Sequence, residues 1–143
     1  MTDRISPRLA AIVDALPLCP GMRVLEIGCG PGAAARTVLR RIGRDGYILA
    51  IDRSLRAISQ ALAASQAELR TGCLEFRCVA IENFKLIQGE MPFDLAFGIR
   101  VGVLDGRHPV VGQVAISRIR DALIKGAKLF IDGGHPLKEI ILW

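Results

Sequence analysis

Apolar residues recur at three- and four-residue steps over Ile5, Leu9, Ile12, Val13 and Leu16. That is the period of an amphipathic helix, and Pro17 ends it. After a Pro20-Gly21 turn the pattern changes. Met22 to Ile27 is a short apolar run of the kind a buried parallel strand shows. Gly28-Cys-Gly-Pro-Gly32 then opens into an alanine-rich segment, Ala33 to Ile42, that favours helix and stops at Gly43. Asp45-Gly46 turns the chain into a second strand, Tyr47 to Ile51, closed by Asp52. Ser54 is the natural cap of a helix reaching about Arg70. Leu74 to Val79 alternates as a third strand, followed by a short helix or turn over Glu82 to Ile87. Phe93 to Phe97 predicts a fourth strand, Pro109 to Ile124 a helix, and Lys128 to Ile131 a fifth strand before Asp132-Gly-Gly134.

Strands alternating with helices through short connections predict an α/β fold. The expected form is a doubly wound, mostly parallel sheet of about five strands with helices on both faces. The chain reads as one domain over residues 1–143: an N-terminal helix (1–17), a core (20–134) and a short apolar tail (135–143). Composition agrees, since 51% hydrophobic with 23% charged residues is a globular balance. No apolar run approaches the ~20 residues of a spanning helix, so no membrane partner is expected. Met1 to Arg8 lacks the pattern of a signal peptide. Cys19, Cys29, Cys73 and Cys78 form no C-x-x-C pair. They read as buried free thiols in a reducing, cytoplasmic setting, with no metal site. The net charge of +5 gathers around Arg36, Arg40, Arg41 and Arg44, which at helical spacing read as a solvated face. A nucleic-acid surface is the alternative, but no aromatic residues interleave with the arginines as stacking platforms.

Ligands of such sheets bind beyond the carboxyl ends of the strands, which directs attention to the residues after each one. Glycines at 28, 30 and 32 allow close backbone approach and positive φ. Gly28 to Ala33 also fits the relaxed G-x-G-x-x-A form of a dinucleotide site. Glu26, two residues before the first glycine, argues otherwise, because a carboxylate there repels a pyrophosphate and suits an amine. Asp52, at the end of the second strand, stands where an acid accepts both hydroxyls of a ribose. Together the two acids favour a ribosylated, amine-bearing, cationic cofactor.

On these residues the sequence resembles the class I (Rossmann-like) S-adenosylmethionine-dependent methyltransferases. Val24-Leu-Glu-Ile-Gly-Cys-Gly-Pro-Gly32 looks like their first motif, Asp52 falls at their ribose acid, and Pro92 to Phe97 resembles their fourth-strand motif. Ile119 to Ile131 is similar to their helix, turn and fifth strand, with Lys125-Gly126 where Pro-Gly is usual. The resemblance implies that Gly28, Cys29 and Gly30 pass under the methionine part of S-adenosylmethionine, with Glu26 near its amine. It implies Asp52 on the ribose, Arg53 beside the adenine, backbone groups of Ala80 and Ile81 on the adenine edge, and Gly98 with Ile99 closing the pocket beneath. Cys78-Val-Ala-Ile-Glu82 carries no acid at the place usual after the third strand.

Methyl transfer from a sulfonium needs chiefly proximity and orientation, so a general base is optional. The acceptor side offers Arg100, Asp105 and His108, although Asp105 to Pro109 reads first as a turn. The acceptor itself, small molecule or macromolecule, is not specified. The family fold ordinarily continues with two further strands, whereas nine residues follow His135 inclusive, room for one short strand and no closing hairpin. The fifth strand is therefore expected to be an uncovered edge, with the apolar tail docking on the domain or on a second copy to give a homodimer. The functional expectation is methyl transfer by in-line displacement. The alternatives are an inactive methyltransferase-like scaffold and a nicotinamide-dinucleotide domain.

Overall fold

The computed structural model describes residues 5–143. Residues 1–4, and with them part of the signal-peptide reading and of the 1–17 helical segment, lie outside the described residues. The chain forms α1 (Pro7–Ala15), β1 (Arg23–Ile27), α2 (Ala33–Ile42), β2 (Tyr47–Asp52), α3 (Leu55–Ala64), α4 (Gln66–Leu69), β3 (Leu74–Cys78), β4 (Phe93–Gly98), α5 (Pro109–Ala122), β5 (Leu123–Asp132) and β6 (Leu137–Ile140). The sheet order is β3-β2-β1-β4-β5-β6, with β6 alone antiparallel. Strand order reverses between β1 and β4, which leaves a crevice beyond their carboxyl ends.

Alternation along the central strands divides the core into two layers. Val24, Ile48, Ala50, Leu95 and Phe97 pack with residues of α1, α2 and α3. Leu25, Ile27, Leu49, Ile51 and Ala96 pack against Ala115, Ile119 and Ala122 of α5. Successive side chains of a strand point to opposite faces, so Glu26 falls on the α1/α2 face with Val24. Ser6 caps α1 through its hydroxyl, which accepts from Leu9 N–H at 3.1 Å, and Ser54 does the same for α3 from Ala57 N–H.

Several expectations are corrected. The third helix does not run unbroken to Arg70: it ends at Ala64 and restarts as α4 around the fully buried Ser65. β5 starts at Leu123, directly after α5, with Lys125-Gly126 in an irregular stretch where the register shifts between Phe93 and Leu95. β5 is not an open edge, because β6 pairs with it from Leu129↔Ile140 to Asp132↔Leu137. The tail takes one of its two expected places and docks on its own domain: Leu142 is buried and Trp143 Nε1 donates to Ala127 O at 3.0 Å. Of the four free cysteines only Cys29 is buried, while Cys19 and Cys78 are exposed.

Arg36 is the largest departure from the solvated-face reading. Arg41 pairs with Asp14 and Arg40 is exposed, but Arg36 is buried beneath the glycine loop. Its Nη1 donates to Pro31 O at 2.9 Å and to Ser65 Oγ at 2.8 Å. These bonds tie the glycine loop to the corner where α3 breaks. Removing a partner from a buried polar group leaves the other unsatisfied, at about 1–3 kcal/mol. Arg36→Met is therefore expected to lower the unfolding free energy by about that amount in urea titrations, and an unchanged midpoint contradicts the role.

Candidate functional site

Two cavities meet at the crevice. One, of about 370 Å³, lies on the α1/α2 face and is bounded by Glu26, the glycine loop, the start of α2 and residues Ser6 to Ile12. The other, of about 310 Å³, lies on the α5 side and is bounded by Ile27, Ile51, Arg53, Val79 to Glu82, Val101 to Val103 and His108. Three residues border both: Gly28, Asp52 and Arg100. A ligand filling both must bend over the ends of β1 and β2 at those three positions.

Asp52 fixes the loop. Its Oδ2 accepts the Gly30 N–H and its Oδ1 the Ser54 N–H, both at 2.9 Å. Each oxygen keeps a further lone pair for a hydroxyl donor. Gly30 has φ of 53°, and a Cβ added there meets no protein atom within 4 Å, so its open side is the cavity itself. The first turn of α2 faces the same cavity through Ala33 and Ala34, and its cap, Gly32, supplies no side-chain hydrogen bond. Its backbone N–H groups therefore present partial positive charge to an anion.

Glu26 is 2% exposed, and its Oε1 finds no hydrogen-bond partner. Burial, followed by repulsion from Asp52, raises its pKa from 4.5 to about 8, against the opposing pull of Arg36. Cys29, buried in the same loop, is likewise pushed up by burial and then by Glu26 and Asp52, which keeps it a thiol. The cavity thus contains a carboxyl group with one unpartnered oxygen and an uncapped helix start, the arrangement that suits the two ends of an amino acid.

Most residues expected to bind the cofactor come together. Glu26, Gly28, Cys29, Gly30 and Asp52 border the first cavity, and Arg53, Ala80 and Ile81 the second. Gly98 borders neither. A Cβ there would stand 2.9 Å from Val101 Cγ2 and 3.3 Å from Ile27 O, so its glycine makes room for packing. Among the acceptor candidates, Arg100 and His108 reach the cleft. Asp105 is exposed outside it: the Arg107 N–H and guanidinium bind its carboxylate and hold its pKa below the usual range. Glu82 is an addition: it stands later in the loop than the usual acid and borders the second cavity from the 3₁₀ turn Ile81–Asn83. The approach of α1 over the first cavity also escaped the sequence reading, since helical periodicity reports a buried face and not what lies beneath a helix end.

The family model described as a methyltransferase domain matches residues 24–125, about seven-tenths of the chain. An uncharacterised 37.1 kDa protein of a Streptomyces fradiae transposon is 33% identical over 60 residues, 42% of this chain and 17% of that protein. Among solved structures, an S-adenosylmethionine-dependent O-methyltransferase of Thermotoga maritima is 18% identical with a TM-score of 0.68, covering 92% of this chain and 45% of its own. Phosphoethanolamine N-methyltransferase 2 of Haemonchus contortus, in complex with phosphomonomethylethanolamine and S-adenosylhomocysteine, is 22% identical with a TM-score of 0.67, covering 87% and 27%. The chain therefore spans less than half the length of each of these relatives. At such identities the two structures speak for the fold alone. The family model, with the glycine loop and strand-end acids at its matched positions, places this chain in the class I S-adenosylmethionine-dependent methyltransferase family, whose cofactor is S-adenosylmethionine.

Proposed function

We infer that this chain binds S-adenosylmethionine across the two cavities and serves methyl transfer to an acceptor entering at their junction. The observation that carries the reading is the buried, partnerless Oε1 of Glu26 in a cavity that also meets an uncapped helix start. Bound there, the cofactor supplies an activated methyl group, which the acceptor's lone pair takes in line while the C–S electrons leave on sulfur, giving S-adenosylhomocysteine.

The chain's own groups then have separable tasks. Glu26 accepts from the methionyl ammonium, and the first N–H groups of α2 face the carboxylate. Asp52 takes the ribose hydroxyls with the lone pairs its backbone partners leave free. Ile51, Val79 and Ile81 border the adenine cavity, with Glu82 as the acid able to accept from the exocyclic amine. Catalysis of this type is orientation at the junction, and none of these tasks requires a general base. A nucleotide pyrophosphate is disfavoured in the first cavity, because it brings no ammonium to Glu26 and its own charge would oppose release of the Glu26 proton.

Isothermal titration is expected to show S-adenosylhomocysteine binding and no NAD binding. Glu26→Gln keeps the shape and removes the charge-assisted bond. A loss of about 1.5–3 kcal/mol, roughly ten- to a hundredfold in affinity, is expected. Binding of NAD alone contradicts the reading.

The pH dependence has a defined sign. Between pH 4.5 and about 8 the folded, ligand-free protein retains a proton on Glu26 that the unfolded chain has released. Its stability therefore falls as pH rises through that window, by at most about 1.4 kcal/mol per pH unit from this group. The ligand's ammonium favours the carboxylate, so binding tightens from pH 6 to 8 and releases a proton. Both trends are expected to flatten in Glu26→Gln, measured by thermal unfolding and by titration in buffers of different ionisation enthalpy. A pH trend identical in the variant contradicts the assignment.

A further inference from the structure

Arg100 has no task in the cofactor reading. It follows β4 and has φ of 58°, the one positive φ at a non-glycine residue among the described residues. That backbone conformation is costly for a side chain bearing Cβ, and such strain gathers where a site needs a particular group. The surroundings hold it there. The Arg100 N–H donates to Asp132 Oδ1 at 2.9 Å, while Asp132 Oδ2 takes the Arg8 guanidinium at 2.8 Å. The acid at the end of β5 thus secures the Arg100 backbone and, by the same carboxylate, the first turn of α1. The Arg100 guanidinium itself makes no hydrogen bond or ion pair among the described residues.

Its position limits what that guanidinium serves. Arg100 borders both cavities, at the junction where the methionine and adenosine lobes meet. In the cofactor placement above, the sulfonium links the two lobes, and it is a cation that a guanidinium repels. The methionyl carboxylate is attached to the same α-carbon as the ammonium, which draws it to the Glu26 end and the start of α2. Asp52 is already bonded to two backbone N–H groups. The charge of Arg100 is useful only to an anion that arrives from outside.

We propose that Arg100 is the acceptor-recognition residue, its guanidinium binding the carboxylate of a small methyl acceptor beside the donor methyl. This rests on the cofactor placement above. A planar guanidinium fork matches a carboxylate with two parallel hydrogen bonds. The neighbouring Arg8 and Arg107 are engaged by Asp132 and Asp105. Arg53 borders the second cavity alone, so Arg100 is the arginine common to both cavities, and the junction lacks the arginine cluster that a phosphate chain or nucleic-acid backbone draws on. Anchoring the carboxylate fixes the acceptor's distance from the methyl group, which is where a displacement gains most from its protein.

The test uses the full chain saturated with S-adenosylhomocysteine. The Nε–Hε resonance of Arg100, assigned by its loss in Arg100→Lys, is followed during titration with benzoate and with benzamide, its uncharged counterpart. A saturable shift is expected with benzoate, at an affinity at least tenfold above that for benzamide. Arg100→Gly suits the φ of 58° and so retains the fold. It is expected to lose the preference for benzoate while binding S-adenosylhomocysteine within twofold of the wild type. Equal binding of the two probes, or no saturable shift at Arg100, overturns the proposal. A tenfold loss of S-adenosylhomocysteine affinity in Arg100→Gly also overturns it, by assigning the guanidinium to the cofactor's carboxylate. If the wild-type chain binds no S-adenosylhomocysteine, the underlying cofactor reading fails, and this proposal falls with it through a visibly different result.

Discussion

Burying a carboxyl group away from hydrogen-bond partners costs several kcal/mol when it is charged, and a protein relieves the cost by keeping the proton or by supplying a counter-charge. Glu26 is in that position. It lies on β1, on the face that otherwise buries Val24 beneath the helices, and its Oε1 lacks a partner. An apolar residue would serve the core better at this point. The groups that shape the cavity converge on the same place. Asp52 ties the glycine loop to the end of β2, Arg36 ties the same loop to the α3–α4 corner, and the uncapped start of α2 faces the same space.

Those ties explain why the loop can be both glycine-rich and ordered. Gly28, Gly30 and Gly32 all have positive φ, a conformation that glycine adopts freely but at a large entropic cost on folding. One buried arginine and one aspartate offset that cost with hydrogen bonds to the loop's own backbone. Arg36 is thus a structural cation, although its spacing with Arg40 and Arg41 gives no hint of it. A charged residue in the second turn of a helix is ordinarily solvated, and only the return of Ser65 to the same place makes burial affordable.

Much of the fold was legible because hydrophobic period and turn chemistry agree in this chain. β1, α2 and β2 stand at their expected positions, bounded by the glycine loop, Gly43 and Asp45-Gly46. The cleft residues were legible for the same reason: in a parallel sheet the residues at the carboxyl end of each strand are brought to one edge, so Glu26, Gly28 and Asp52 converge without any knowledge of side-chain geometry. The tail was not legible. Leu137 to Ile140 is too short to show alternation, and its pairing with β5 depends on a tight return through Gly133 and Gly134 that sequence spacing does not display. Nor was the Asp132 link, because a strand-end acid gives no sign of which distant backbone it will hold. At Asp105 the turn reading holds and the acceptor-side one does not, since its carboxylate is taken by the Arg107 N–H and guanidinium.

The central claim is that one bent ligand joins the two cavities, amine at Glu26 and ribose at Asp52. A crystal structure of the chain with S-adenosylhomocysteine tests it most directly. The account predicts the methionyl nitrogen within hydrogen-bond reach of Glu26, directly or through one water, and the ribose hydroxyls on Asp52. A ligand whose amine points away from Glu26, or whose adenine lies outside the cavity bordered by Val79 to Glu82, contradicts it.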